Sequence, residues 1–184
     1  MKKIIASYLC ILLCLASLNS NAQKFYTKTG KISFFSSTAL ENIEASNRSV
    51  TALLDSKTGE LQFTVLVKGF EFKKALMQEH FNENYLETDK FPKASFKGQV
   101  LNNSEINYAA DGSYPARVKG QLTIHGQTKD IETTGVIHIR DGKPVLNSTF
   151  SVLIADYKIN VQRIHQDNIS KSIKITVEAA LTPL

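Results

Sequence analysis

The chain has 184 residues, of which 22 are basic and 17 acidic, with two cysteines and no tryptophan. This length suits one domain with a sizeable hydrophobic core. The basic residues are scattered along the sequence and their excess is small, which argues against a nucleic-acid-binding surface and leaves only a mild attraction to anionic membrane surfaces.

The first 22 residues have the features of a cleavable signal peptide. Lys2 and Lys3 precede an apolar run over 4–18, and a small-x-small cleavage sequence follows it. The run is too short to cross a bilayer, which takes about 20 apolar residues, and no later stretch is long enough for stable transmembrane anchoring. We therefore expect residues 1–22 to be removed and 23–184 to form one domain in the periplasm, with secretion as the alternative.

Both cysteines, Cys10 and Cys14, lie within the segment to be removed. The mature chain then has no disulfide, no thiolate nucleophile and no cysteine metal ligand. Loss of Lys2 and Lys3 leaves 20 basic residues against 17 acidic ones, a net charge of +3. The stability of the domain must come from burial of apolar surface.

After the signal, apolar and polar residues alternate over short stretches, as is typical of half-buried antiparallel strands. In the clearest stretch, 61–68, the odd positions are all apolar. Turn sequences with glycine at positions 59, 112, 126 and 142 separate several of the stretches. The predicted strands, roughly eight in number, are 31–36, 49–55, 61–68, 94–101, 118–124, 131–139, 145–155 and 173–181.

One stretch, residues 72–87, departs from the alternation. Met77, Phe81 and Tyr85 recur at a spacing of four, which places them on one face of a helix. Pro92 prevents continuation of the helix soon afterwards. The apolar face either packs on the barrel or also forms a lid that contacts a ligand.

Small residues on the apolar faces, Gly120, Gly135 and Ala179, indicate unfilled space inside the barrel. An eight-stranded barrel is either filled by its own side chains or holds one small ligand. The small residues and the absence of tryptophan favour a cavity. The alternative is that the glycines mark bends or bulges in a filled barrel.

Two blocks of sequence resemble the YceI family. The first contains Phe70-Glu71-Phe72, residues 77–86 and residues 90–96, and the second is 118–129, an apolar strand that turns at a glycine. The resemblance implies a lipocalin-like barrel that binds isoprenoid-type or other amphiphilic lipids. The chain departs from the family pattern at 30–33 and 42–46, and Lys158 replaces a common glycine, which affects the shape of the barrel mouth and the selectivity for a lipid headgroup.

The sequence thus predicts an all-β fold, an eight-stranded antiparallel lipocalin-like barrel with one short helix. Its expected function is noncatalytic binding, storage or transport of a long-chain amphiphilic lipid of isoprenoid type, with no cofactor except a bound isoprenoid or quinone-like lipid. His80 is the candidate for contact with the headgroup. The residues expected to line the cavity are Leu61, Phe63, Val65, Val67, Met77, Phe81, Phe96, Leu122, Ile137 and Val177.

The sequence leaves two other functions open. An enzyme acting on an amphiphilic substrate would use Glu79 and His80 as acid and base, although no catalytic or metal-binding motif is present. A filled barrel would instead be an envelope stress or interaction module. His125, His138 and His165 are interpreted as surface, structural or loop residues, and the sequence leaves transient membrane-surface contact and a homodimer open.

Overall fold

The structure, a computed structural model, describes residues 24–184. The predicted signal peptide lies outside these residues. The strands are β1 Lys24–Ser37, β2 Asn42–Asp55, β3 Glu60–Leu66, β4 Glu71–Phe72, β5 Lys93–Val100, β6 Gly112–Ile124, β7 Gln127–Arg140, β8 Lys143–Leu153, β9 Ser172–Ala180 and β10 Thr182–Pro183. Helix α1, Ala75–His80, continues into a π-helical turn, Phe81–Tyr85.

Eight long antiparallel strands form a closed barrel. Going round the wall, the order is β1, β2, β3, β5, β6, β7, β8 and β9, and the barrel closes because β1 pairs with both β2 and β9. The two-residue strands β4 and β10 extend the sheet beside β2 and β1. The predicted eight-stranded antiparallel barrel with one short helix is confirmed.

The strands begin and end at different residues from those predicted. The first residues of β1 show little alternation of apolar and polar side chains. They nevertheless belong to the strand from Lys24 onward, because they pair with β2 and β10. Gly30 lies at a shift in the pairing register between β1 and β2. Pairing with neighbours thus extends a strand beyond the part that hydrophobic alternation reveals.

Three of the four predicted glycine turns are present. Both residues of His125-Gly126 and of Asp141-Gly142 have positive φ, as a tight hairpin turn requires, and Gly59 has φ +77°. The prediction for Gly112 is wrong. This glycine begins β6, and the preceding connection instead contains a 3₁₀ turn at Asn103–Glu105.

The two ends of the barrel differ. One end, which we call the closed end, carries the connections 56–59, 101–111 and 141–142. There Phe25 and Tyr108 stack with ring centroids 6.4 Å apart, and the Tyr108 hydroxyl donates a hydrogen bond to Asn103 Oδ1 at 2.8 Å. Burial raises the pKa of Tyr108 to about 12. Buried apolar side chains pack together at this end: Leu54, Val100, Ile106, Ile139 and Leu181.

The opposite end, which we call the mouth, carries the longer connections 38–41, 67–92 and 154–171, together with the turn at 125–126. The helix and its π-helical turn lie within the second of these connections. Within residues 24–184, no helix has the length and apolar character needed to cross a membrane.

Candidate functional site

The barrel encloses a cavity of about 480 Å³ between the closed end and the mouth. This volume falls in the usual range of small-molecule sites, roughly 300–1,000 Å³. The lining is almost wholly apolar, and it reaches Lys74 and Leu76, two exposed residues at the mouth. The barrel is therefore not filled by its own side chains, and its cavity has one closed end and one end near solvent.

The wall of the cavity follows from the period-two pattern of the strands. On β3, Leu61 and Val65 are buried and face the cavity, whereas Gln62 and Thr64 between them are exposed. Successive side chains on a strand point to opposite faces, so the apolar half of each strand faces the interior. The inward residues of β8 and β9 that line the cavity are Leu146, Ser148, Phe150, Val152, Ile173, Ile175 and Val177.

Helix α1 and its π-helical turn cover part of the mouth. Met77, Phe81 and Tyr85 all line the cavity, as their spacing indicates. The helix begins at Ala75, and its turn ends before Glu87, a residue with φ +42°, rather than at Pro92. The helical stretch is short, so its position depends on packing more than on helix propensity.

An aromatic cluster fixes the helix to the barrel wall. The Phe81 ring lies 5.4 Å from that of Phe34, 5.8 Å from that of Phe70 and 5.0 Å from that of Phe72, measured between centroids. Phe72 belongs to β4, which pairs with Ala45 of β2. All four rings line the cavity. The helix thus reaches the cavity through side chains that also hold it in place.

Polar residues gather where the cavity reaches the mouth. Lys74 Nζ donates a hydrogen bond to Glu41 Oε1 at 3.0 Å, and Asn168 Nδ2 donates one to Glu41 Oε2 at 3.2 Å. The hydrogen bond from Lys74 and, to a smaller extent, the hydrogen bond from Asn168 hold the pKa of the Glu41 carboxyl below its usual value. His80 and His165 face each other with ring centroids 5.8 Å apart. All five residues line the cavity.

Every residue expected to line the cavity lies on its wall, and so does His80. The structure brings together residues from β3, the 3₁₀ turn Val67–Gly69, α1 and its π-helical turn, β5, β6, β7 and β9: Leu61, Phe63, Val65, Val67, Met77, Phe81, Phe96, Leu122, Ile137 and Val177. Their contact with a lipid stays a prediction. Glu79, the other member of the suggested acid–base pair, is exposed and is not part of the lining.

The interpretation of the small residues is only partly right. Gly135 lines the cavity, but Gly120 and Ala179 do not. A side chain at Gly120 would meet Cζ of Phe96 at 2.7 Å, so the Phe96 ring occupies the space that this glycine was expected to leave empty. Ala179 is buried against the Gly30 region of β1. A small inward residue shows empty space only if no neighbour fills it.

Sequence reasoning missed several residues of the site. Phe34 lies at an inward position of a predicted strand, and the alternation of Ile32 and Phe34 could have identified it. Glu41 and His165 gave no such signal, because they lie in connections without a regular period. Their place at the mouth depends on how distant segments of the chain meet.

His125 has a structural role near the mouth. Its Nδ1 lies 3.0 Å from the Tyr157 carbonyl oxygen and its Nε2 lies 3.1 Å from Glu87 Oε2, while Phe91 packs edge-on against the ring. The hydrogen bond from Lys90 and, to a smaller extent, the hydrogen bond from His125 hold the pKa of the Glu87 carboxyl below its usual value. His125 thus joins three connections at the mouth, in agreement with the interpretation as a structural residue.

Two further observations concern metal and polar sites. His138 Nδ1 lies 2.7 Å from Ser113 Oγ on the outer surface, away from the cavity. Across the part of the chain described, no three histidine, cysteine, aspartate or glutamate side chains come together in a way that could hold a metal ion.

Comparisons with known proteins agree on this architecture. Residues 16–181 match the model of the YceI-like domain. A polyisoprenoid-binding domain from Saccharophagus degradans, implicated in plant cell wall breakdown, has a TM-score of 0.77 at 13% identity, over 89% of this chain and 99% of that chain. Burkholderia cenocepacia BcnA has a TM-score of 0.68 at 13% identity, over 83% and 96%.

The Campylobacter jejuni YCEI protein has a TM-score of 0.56 at 18% identity, over 73% of this chain and 81% of that chain. No curated protein matched the sequence significantly. Because these sequence identities are low, the similarity to the solved structures shows the fold alone.

Proposed function

The chain belongs to the YceI-like family, and from this premise we propose that it binds a long-chain amphiphilic lipid of isoprenoid type in the barrel and stores or transports it without catalysing a reaction. The observation that carries the proposal is the apolar cavity of about 480 Å³, blocked at one end and open toward the mouth. The name of the Saccharophagus degradans domain, which binds polyisoprenoids, supports the choice of lipid class.

Burial of the tail supplies the affinity. At about 0.8 kcal/mol for each methylene-sized group, a five-carbon isoprene unit contributes roughly 3–4 kcal/mol before losses. Restricting the lipid and ordering its bonds subtract from this sum. A few units suffice for retention, so a carrier of this kind needs no strong polar contact along the wall.

The difference between the two ends sets the orientation of the lipid. At the closed end, apolar side chains such as Leu54 and Ile139 are fully buried, and the partly buried Tyr108 donates its hydroxyl hydrogen bond to Asn103. The mouth carries His80 and other polar side chains beside the apolar wall. The tail therefore points to the closed end, and the headgroup stays at the mouth.

The site of action follows from the predicted signal peptide. We place the mature domain, 23–184, in the periplasm, where a lipid carrier would shield an apolar chain from water between membranes. Intact-mass analysis of protein from a periplasmic extract should give a chain that starts at Gln23. A chain that keeps Met1 would contradict the proposed export.

Delivery of the lipid would involve transient contact with a membrane surface through the mouth. Three exposed apolar side chains lie on the connections that surround it: Leu40 is 68% exposed, Leu76 61% and Ile164 77%. Contact of these side chains with a membrane would let a lipid tail enter or leave the barrel without crossing water. A homodimer formed through the mouth would bury the same side chains. Sedimentation of the purified protein with and without vesicles distinguishes membrane contact from a homodimer.

The direct test is to identify what the protein carries. Protein purified from its native host is extracted with solvent and analysed by mass spectrometry, and a long-chain lipid should be recovered. Val177→Trp, which fills part of the cavity, should reduce recovery, whereas Thr176→Trp on the neighbouring position should not. Repeated extraction of wild-type protein without any lipid would contradict the proposal.

A further inference from the structure

Two histidines from distant parts of the chain meet at the mouth. His80 ends helix α1, and His165 ends the 3₁₀ turn Arg163–His165 in the connection from β8 to β9. Their ring centroids are 5.8 Å apart, the planes are tilted by 41°, and both rings line the cavity. The pair therefore lies where an apolar wall gives way to polar residues.

Three other polar residues that line the cavity beside the pair are bonded to one another. Lys74 and Asn168 both donate hydrogen bonds to Glu41, one to each carboxylate oxygen. Within residues 24–184, the side chains of His80 and His165 form no hydrogen bond, although His165 lies close enough to the Glu41 carboxylate to interact with it electrostatically. Four ring nitrogens are thus free to bond a ligand at this point, and each neutral imidazole offers one N–H donor and one acceptor.

The Glu41 cluster holds the two histidines in place. Glu41 lies in the connection between β1 and β2, Lys74 immediately precedes α1, and Asn168 lies three residues after His165. One carboxylate therefore ties the segment that carries His80 to the segment that carries His165. The spacing between the imidazoles is set by groups that do not need the ligand.

The two charged residues that line the cavity here besides the histidines, Lys74 and Glu41, favour an uncharged headgroup over an anionic one. The ammonium of Lys74 is paired with Glu41, so it is not a free cation for an anion to bind. The Glu41 carboxylate would also repel a phosphate placed near the histidines, because like charges in partly buried sites are costly. A carbonyl oxygen has two lone pairs and no charge, and it can accept an N–H from each imidazole.

We propose that His80 and His165 together form the headgroup site, and that they select lipids whose head is an uncharged hydrogen-bond-accepting oxygen, such as the ring carbonyl of an isoprenoid quinone, over lipids with a phosphate head. This inference rests on the proposed lipid-binding function. The cavity wall binds the tail of any such lipid, and the histidine pair distinguishes the heads.

The experiment uses mature protein stripped of lipid and three probes that share one short isoprenoid tail. The probes carry a benzoquinone head, a hydroxyl head and a monophosphate head, and affinities are measured by calorimetry. Wild-type protein should bind the quinone more tightly than the monophosphate. Each of His80→Phe and His165→Phe should weaken quinone binding about 2–10-fold, the loss expected for one hydrogen bond.

Matched controls separate the headgroup contact from packing. His138→Phe, on the outer surface, should leave all three affinities unchanged. His165→Gln keeps an N–H donor and should retain most of the quinone affinity that His165→Phe loses. Phenylalanine keeps a ring at each position, so the barrel should stay intact in these variants. Thermal unfolding of each variant measures whether it does.

The outcomes distinguish this inference from the proposed function. If both phenylalanine variants bind the quinone as tightly as wild type, the headgroup site is wrong, although lipid binding stands. If the monophosphate binds more tightly than the quinone in a histidine-dependent way, the selectivity is wrong and the mouth is an anion site. If wild-type protein binds none of the probes, the lipid-binding function and this inference both fail.

Discussion

Gly98 of β5 and Gly120 of β6 lie directly opposite each other, and the Phe96 ring covers both from inside the barrel. A methyl group on Gly120 would lie 2.4 Å from the Gly98 Cα and 2.4 Å from the Lys97 carbonyl oxygen. The two strands therefore approach each other more closely here than any side chain on the inner face would allow.

Gly120→Ala should lower the free energy of unfolding by about 1–3 kcal/mol, because the strands must separate to admit the methyl group. Urea denaturation measures the change. Gly112→Ala is the matched control, since there the nearest atoms belong to the Tyr114 ring, at 3.2 Å. It should cost less than about 1 kcal/mol. An equal loss in both variants would contradict the close approach of the strands.

A charge on the cavity wall should prevent lipid binding. Phe63→Glu places a carboxylate among apolar side chains, where a tail could not satisfy it, and lipid loading of the folded protein should fall at least about tenfold. Gln62→Glu, on the exposed face of the same strand, should load normally. Circular dichroism establishes that both variants fold, and mass spectrometry of extracted lipid measures loading. Similar loading would contradict the inward assignment of Phe63.

The Glu41 carboxyl should titrate below the usual range for glutamate, because its pKa is lowered by the hydrogen bonds from Lys74 and Asn168. Lys74→Met should raise the pKa, whereas Lys73→Met, at the exposed neighbouring position, should not. Carboxyl NMR chemical shifts followed against pH measure both effects. A wild-type midpoint equal to that of Lys74→Met would contradict the interaction.

The same shift predicts how the mouth responds to acid. A lowered folded-state pKa stabilises the fold above the unfolded-state pKa, and this contribution is lost as the pH falls through the folded-state value. Amide hydrogen exchange in residues 74–80 should therefore become faster, relative to that of β7, as the pH falls through this range. Unchanged relative protection would show that Glu41 does not tie the helix to the mouth.

Lys158 should be replaceable by glycine with a gain in stability. It has φ +53° and ψ +31°, a left-handed conformation that costs most residues about 1–2 kcal/mol but is free of strain for glycine. Lys158→Gly should raise the free energy of unfolding by about 0.5–1 kcal/mol after the entropy of the unfolded chain is included. Lys158→Ala keeps the strain and should change stability little. Chemical denaturation compares the two.

The structure also shows the backbone conformation of this lysine. The resemblance to the family places a glycine here, and the backbone keeps the left-handed conformation that glycine favours. The replacement therefore places a side chain in a strained conformation and adds an exposed charge. An effect of this replacement on the shape of the mouth stays a prediction.

The sequence by itself determined the strands, the helix face and the direction in which most wall residues point. Leu61, Val65 and Ile137 could be assigned because facing depends on position along a strand, and alternation has a period of two whatever the strand pairs with. Met77 and Phe81 could be assigned for the same reason, with the helical period. These properties are local, so a short window of sequence contains them.

Only the tertiary structure decided which space is empty and which distant residues meet. Gly120 was expected to leave a gap, but the ring of Phe96 fills it once β5 and β6 pair. His165 was expected to lie in an ordinary loop, but closure of the barrel brings it to His80, 85 positions earlier in the chain. Free volume and contacts between connections depend on the positions of several segments at once, and no periodic pattern in the sequence records them.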